Sequence, residues 1–184
     1  MKHSRFVIAL ALVLSAMFGA ADQYLGSFSM YPWMTDVSLL SAPWLILPFL
    51  AGVTQRNAKR AAFLGLGCTL AALIGYGVMT LSPVENVHPT MGAVLAFIRS
   101  ERRVILGGLV TGPLFGWLGH RWRFNTSWAA GAVTAAMPCL EPLARASVHL
   151  PIGTAAVLWC EIAVGALSLA YIGGRVLFTS RHSA

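Results

Sequence analysis

The stretch AAFLGLGCTLAALIGYGVMTL, Ala61 to Leu81, runs for 21 residues without a charge, directly after Arg56, Lys59 and Arg60. About 20 mostly apolar residues suffice for a helix to cross the hydrocarbon core of a bilayer. This segment therefore reads as a transmembrane helix, and five further apolar runs extend the reading to both sides. They are Phe6–Ala21, Leu39–Thr54 with Pro43 and Pro48 inside it, Val104–Leu118, Trp128–Val148 and Ile152–Gly174. The predicted fold is all-α: a polytopic transmembrane helical bundle of six spans in a single membrane domain over residues 1–184. Between the third and fourth spans, Met91–Ile98 is apolar but too short to cross. It is expected to be an interfacial or re-entrant helix, because lipid leaves backbone polar groups no other inexpensive solution.

Composition agrees. Of 184 residues, 57% are hydrophobic and 10% charged, where a soluble domain carries about a quarter charged residues. The net charge of +7 comes from short basic clusters between apolar runs. That is the pattern of topology signals, not of a groove for phosphates, and it argues against nucleic-acid binding. Cys68, Cys139 and Cys160 lie far apart in apolar runs. No Cys/His cluster has metal-ligand spacing, so neither a metal nor a cofactor is expected.

Orientation follows from lysine and arginine. With the N-terminus inside, Lys2, Arg5, Arg56, Lys59, Arg60, Arg121, Arg123, Arg175 and Arg181 are cytoplasmic, against Arg99, Arg102, Arg103 and Arg145 outside. Nine against four predicts both termini in the cytoplasm. The discordant element is Arg99-Ser-Glu-Arg-Arg103, a basic cluster on the outer side. The N-terminal segment, ending in Gly19-Ala-Ala21, can also be read as a cleavable signal peptide, which would leave five spans in the same orientation.

Gly108, Gly112 and Gly116 form two overlapping G-x-x-x-G steps on the fourth span. Small residues let helix backbones approach within lipid, either inside the chain or across a homodimer or partner interface. Trp33, Trp44, Trp122, Trp128 and Tyr31 lie near span ends, as in aromatic belts.

Intramembrane charges are expensive and mark candidate sites. Glu161 lies nine residues into the last span. Glu141 and Arg145 share a face of the fifth span at i,i+4 spacing, beside Pro138 and Pro142, which are expected to kink it. Broken helices of this kind line polar cavities in transporters. On the outer side, Asp22 ends the first span, and Arg99, Arg102 and Arg103 would share one helical face. These arginines are suited to an anionic group, or to ion pairs with Asp22, Asp36 and Glu85. The candidate ligand or ion contacts are thus Glu161, Glu141, Arg145, Asp22, Arg99, Arg102 and Arg103.

Three stretches, Leu39-Leu-Ser-Ala-Pro-Trp-Leu45 running into Pro48-Phe-Leu-Ala-Gly52, Gly107-Gly-Leu-Val-Thr-Gly-Pro-Leu-Phe-Gly-Trp117 and Cys139-Leu-Glu-Pro-Leu-Ala-Arg145, resemble a family of small bacterial multi-pass membrane proteins, chiefly actinobacterial, classed as a domain of unknown function. The resemblance implies a helical protein of the bacterial plasma membrane and supplies no activity. Ala16-x-x-x-Ala20 is similar to the coupling contact of substrate-binding subunits of energy-coupling-factor vitamin transporters. Asp22-Gln23 is similar to a catalytic site of lipoprotein signal peptidase, but that enzyme needs a second aspartate in a late helix, and the late helices here hold only glutamates.

Three function classes remain, in this order: a small-molecule or ion binding and transport component, a non-catalytic membrane scaffold or partner subunit, and a membrane enzyme acting on lipid or peptide. For the last, no Ser/His/Asp, Asp/Asp or metal constellation is visible, and a non-enzymatic role is expected.

Overall fold

The computed structural model describes residues 2–28, 30–85, 87–125, 127–147 and 154–181, with side chains from Arg5 to Gly174. Among them the chain is all-helical. The order is α1 (Lys2–Gly26), α2 (Pro32–Ser38), α3 (Ala42–Val53), α4 (Ala58–Thr80), a 3-10 turn (Pro83–Glu85), α5 (Met91–Ser100), α6 (Arg102–Phe124), α7 (Trp128–Ser147) and α8 (Ala155–Arg181). Val148 and Ile152, which bound the last two predicted spans, lie outside the described residues.

Local chemistry sets several boundaries. The Asn57 side chain accepts the N–H groups of Lys59 and Arg60 at 3.0 and 3.2 Å and starts α4. The Thr90 hydroxyl accepts the N–H of Ala93 at 3.2 Å and starts α5. Each satisfies donors that the first helical turn leaves free. Within the predicted second span, Leu39–Thr54, the helix α3 begins only at Ala42, and α2 precedes it across a break at residues 39–41 with a 45° bend. Pro43 has no N–H, and its ring would meet the carbonyl four residues back, that of Leu39, within the break.

α4 and α6 form the centre. α4 packs against α1, α3 and α6, and α6 also against α3 and α7, while α8 pairs with α7 at the periphery. The α4 face that is buried is made chiefly of small residues: Ala61, Gly65, Cys68, Thr69, Ala72, Gly75 and Gly77, with Leu64. A Cβ at Gly116 would collide with the Ala61 carbonyl, and one at Gly52 with the Gly116 carbonyl. Gly108 and Gly112 meet Thr69 on α4. Of the two uses expected for the Gly108, Gly112 and Gly116 face, the one inside the chain is present: it lies against α3 and α4. Likewise Ala16 rests on Gly75 of α4, as Gly19 does on Ala72, so the side of α1 holding the Ala16-x-x-x-Ala20 pattern is used internally.

The distribution of side chains is inverted relative to a water-soluble protein. Half of the buried hydrophobic residues are alanines, while Phe6, Phe63, Ile74, Leu106, Trp159 and Leu167 are exposed. Large contiguous apolar surface is rare on soluble monomers, and the arrangement is compatible with a membrane protein. Three helices are long and apolar enough to cross a membrane: α1 over Arg5–Gly26, α4, and α8 over Ala155–Gly174; counting the bent α2–α3 pair as one span makes up to four. That is fewer than the six predicted. α6 and α7 fall short in composition, not length, because Arg102, Arg103, Arg121 and Arg123 end α6, and α7 carries Glu141 and Arg145.

Candidate functional site

All six acidic residues of the chain lie at one end of the bundle, where α1 ends, α2 bends into α3, α4 runs into the 3-10 turn, α5 meets α6, α7 ends and α8 begins. At the opposite end α6 is tied to the α3–α4 connection. His120 Nδ1 is 2.9 Å from the Gln55 carbonyl oxygen, and Arg123 donates to the Val53 carbonyl at 3.3 Å. Arg56, Lys59, Arg60 and Arg121 lie at this second end.

At the acidic end is a cavity of about 500 Å³, walled by α1, the α2–α3 break, α4 and α6. Its polar lining includes Asp22, Ser41, Thr69, Tyr76, Glu101 and Thr111, and no lysine, arginine or histidine among the described residues. Asp22 is 8% exposed and accepts one hydrogen bond, from the Trp44 indole N–H at 3.3 Å. No ion pair to Asp22 or Glu101 exists among the described residues. Burying an unpaired carboxylate is costly, so a carboxylate kept here without a basic partner is the feature that singles the cavity out.

The aromatic wall is continuous. The rings of Phe18 and Trp44 meet edge-on at 5.5 Å, those of Trp44 and Tyr76 at 6.0 Å, and Tyr76 and Phe97 are 6.1 Å apart. Tyr76 also lies within electrostatic reach of Glu101, Asp22 and Glu85. Trp44, expected as a membrane-belt anchor, instead bridges α1, α3 and α4.

Of the residues expected at a site, only Asp22 lines this cavity. Glu141 and Arg145 form an ion pair at 2.7 Å within α7. The same Glu141 carboxylate accepts the N–H groups of Ser41 and Ala42 at 2.7 and 2.9 Å, capping α3 from another helix. Glu161, 8% exposed on α8, contacts the Glu141 carboxyl, and its Oε1 has no partner among the described residues. These groups form a separate cluster behind the helix break.

Arg99, Arg102 and Arg103 do not share a helix face. Arg99 ends α5, Glu101 is the break, and Arg102 and Arg103 open α6. All three are exposed. They make no ion pair with Asp22, Asp36 or Glu85 among the described residues. Asp36 accepts the N–H of Thr154 at 2.7 Å just before α8, and Glu85 accepts the Ser27 hydroxyl. Asp36 and Glu85 thus join chain segments through backbone and hydroxyl groups.

Sequence reasoning missed Glu101, Tyr76 and the role of Trp44. Glu101 could have been noticed as the one acid inside a basic cluster. The convergence of rings from four helices has no counterpart in linear spacing.

A family of unknown function, DUF6518, matches residues 1–181 of the chain. No curated protein and no solved structure matches it.

Proposed function

We propose that this chain, which belongs to the DUF6518 family of unknown function, is a non-enzymatic membrane component that binds a small molecule in the acidic-end cavity, as a transporter or its binding subunit. The observation that carries the reading is the buried Asp22 carboxylate, lining a cavity of about 500 Å³ with no basic residue in its walls among the described residues. Ligand sites are concave, mostly apolar and furnished with a few convergent polar groups. The cavity walls include a helix break, as do substrate sites of many transporters.

In this reading all six long elements cross the membrane, counting α2–α3 as one. The low hydropathy of α6 follows from its central place: a helix surrounded by α3, α4 and α7 need not dissolve in lipid, and its glycines serve backbone contact. Nine lysines and arginines at the acid-free end support N-terminus and C-terminus in the cytoplasm. The cavity then faces the outside of a bacterial plasma membrane.

The test is thermal unfolding of the full chain in nanodiscs against a panel of small organic cations, anions and neutral solutes. At least one class should stabilise the wild type, and Gly107→Phe should abolish the effect. Gly107 lines the cavity and a Cβ there meets nothing within 4 Å, so a larger side chain starts in open space beside the cavity and not against a neighbouring helix. Stabilisation by no class, or stabilisation that survives Gly107→Phe, would remove the reading.

A second reading, a partner subunit, has one observation in its favour. An apolar crevice of about 450 Å³ runs between α3, α7 and α8, lined by Leu50, Pro138, Leu167 and Tyr171 among others. A neighbouring transmembrane helix would fit its chemistry.

A further inference from the structure

We infer that the cavity selects a small organic cation, an amine or quaternary ammonium, with Asp22 as its counter-charge and Trp44 and Tyr76 as its aromatic walls. This rests on the cavity being a binding site and adds the class of ligand. Three independent features of the lining converge on it.

The first is charge. Two carboxylates, Asp22 and Glu101, line one cavity with no basic residue among its described walls, so an anionic ligand would meet repulsion and a cation attraction. Glu101 starts α6, yet its side chain makes no capping hydrogen bond and remains available. Arg99, Arg102 and Arg103 flank it in sequence, but they are exposed and do not line the cavity.

The second is the aromatic pair. Trp44 and Tyr76 both line the cavity, with ring centroids 6.0 Å apart and nearly edge-on. Two rings at this angle present faces in different directions, as aromatic cages for ammonium groups do, and a cation within about 6 Å of a ring face is attracted to it. The Trp44 N–H is spent on Asp22, which fixes the indole and the carboxylate relative to each other.

The third is the remaining lining, which distinguishes an organic from an inorganic cation. Leu39, Leu45, Leu73 and Val104 supply apolar surface. No group of three acid, histidine or cysteine side chains able to hold a metal ion exists among the described residues. An alkyl or aryl ammonium matches both halves of this lining; a bare sodium ion would match only one.

The test uses the full chain in nanodiscs and three probes of increasing size, methylammonium, choline and phenethylammonium, each titrated with thermal unfolding and calorimetry as readouts. Sodium chloride and 3,3-dimethylbutan-1-ol, the uncharged analogue of choline, are the controls. At least one ammonium probe should bind saturably, at least tenfold tighter than sodium or the neutral alcohol. Asp22→Asn should weaken it tenfold or more, and Tyr76→Leu severalfold, while Arg60→Gln at the opposite end should leave it unchanged. Gly107→Phe should abolish binding without loss of fold, and it stands in if Asp22→Asn proves unstable. Equal binding of the neutral alcohol, lost with Gly107→Phe, would overturn the cation preference and leave the binding cavity standing. Failure of all three ammonium probes, or binding indifferent to both Asp22→Asn and Gly107→Phe, would overturn the inference outright.

Discussion

The Glu141 carboxylate takes two backbone N–H groups from the start of α3 and two donors of Arg145, at 2.7 to 3.0 Å. It therefore does three jobs at once: it caps a helix, neutralises an arginine and joins α7 to the α2–α3 break. Asp22, by contrast, accepts one long hydrogen bond and has no cation paired with it among the described residues. Equal chemistry in sequence thus separates into a structural acid and an available one. The i,i+4 spacing made the ion pair legible. The cap was not, because its two halves are 99 and 100 residues apart. Removing one partner of a buried pair strands the other charge, at a cost of about 3–5 kcal/mol. Glu141→Ala should lose about that much and also the cap. Glu141→Gln also leaves the Arg145 charge unpaired but keeps one acceptor for the N–H groups, so it should lose about 3 kcal/mol, less than Glu141→Ala. Arg145→Leu leaves both capping bonds in place and should fall short of Glu141→Ala. Reversible unfolding in mixed micelles measures all three; a Glu141→Ala chain as stable as Arg145→Leu would mean that the cap contributes nothing.

Glycines in α6 serve opposite purposes along one helix. Gly116 and Gly112 let α6 lie against the backbones of α4 and α3, whereas Gly107 faces open space beside the cavity. Gly116→Ala should therefore separate α4 from α6 and cost about 3 kcal/mol, the upper part of the overpacking range. Gly107→Ala should leave stability unchanged or raise it by up to ~1 kcal/mol through helix propensity. The same unfolding measurement decides it, and equal effects at both positions would contradict the close α4–α6 crossing. Much of this level could be read in the chain. The uncharged run from Ala61 to Leu81 became α4, Met91–Ile98 became the separate α5, and small-residue steps pointed to close crossings. Two features could not be read. A glycine step does not name its partner helix, so Gly108, Gly112 and Gly116 suited a homodimer as well as α4. The run from Leu39 to Thr54 also gave no sign that α2 precedes it at a 45° bend, since hydropathy does not register that Pro43 forbids a helix through Leu39.

Acids gathered at one end and basic residues concentrated at the other give the molecule a polarity that composition hides behind its net charge of +7. Hydropathy counts three or four crossings, yet α6 joins the two ends. Its first turn adjoins Glu101, which lines the acidic-end cavity, and its last turns are bonded to Gln55 and Val53 beside the α3–α4 connection. A helix of 23 residues is about 35 Å long, enough to span the hydrocarbon core. If α4 crosses the membrane, α6 beside it crosses too, and α7 returns. Single cysteines in a chain whose Cys68, Cys139 and Cys160 are replaced by serine separate the alternatives. With a membrane-impermeant maleimide added outside intact cells, His88→Cys should label at once, and Lys59→Cys only after permeabilisation. The deciding position is Asn125, between α6 and α7. Six crossings put Asn125→Cys inside, labelled only after permeabilisation. Four crossings, with α6 and α7 remaining on the outer side, would expose it to the reagent in intact cells, and that result would overturn the six-crossing bundle.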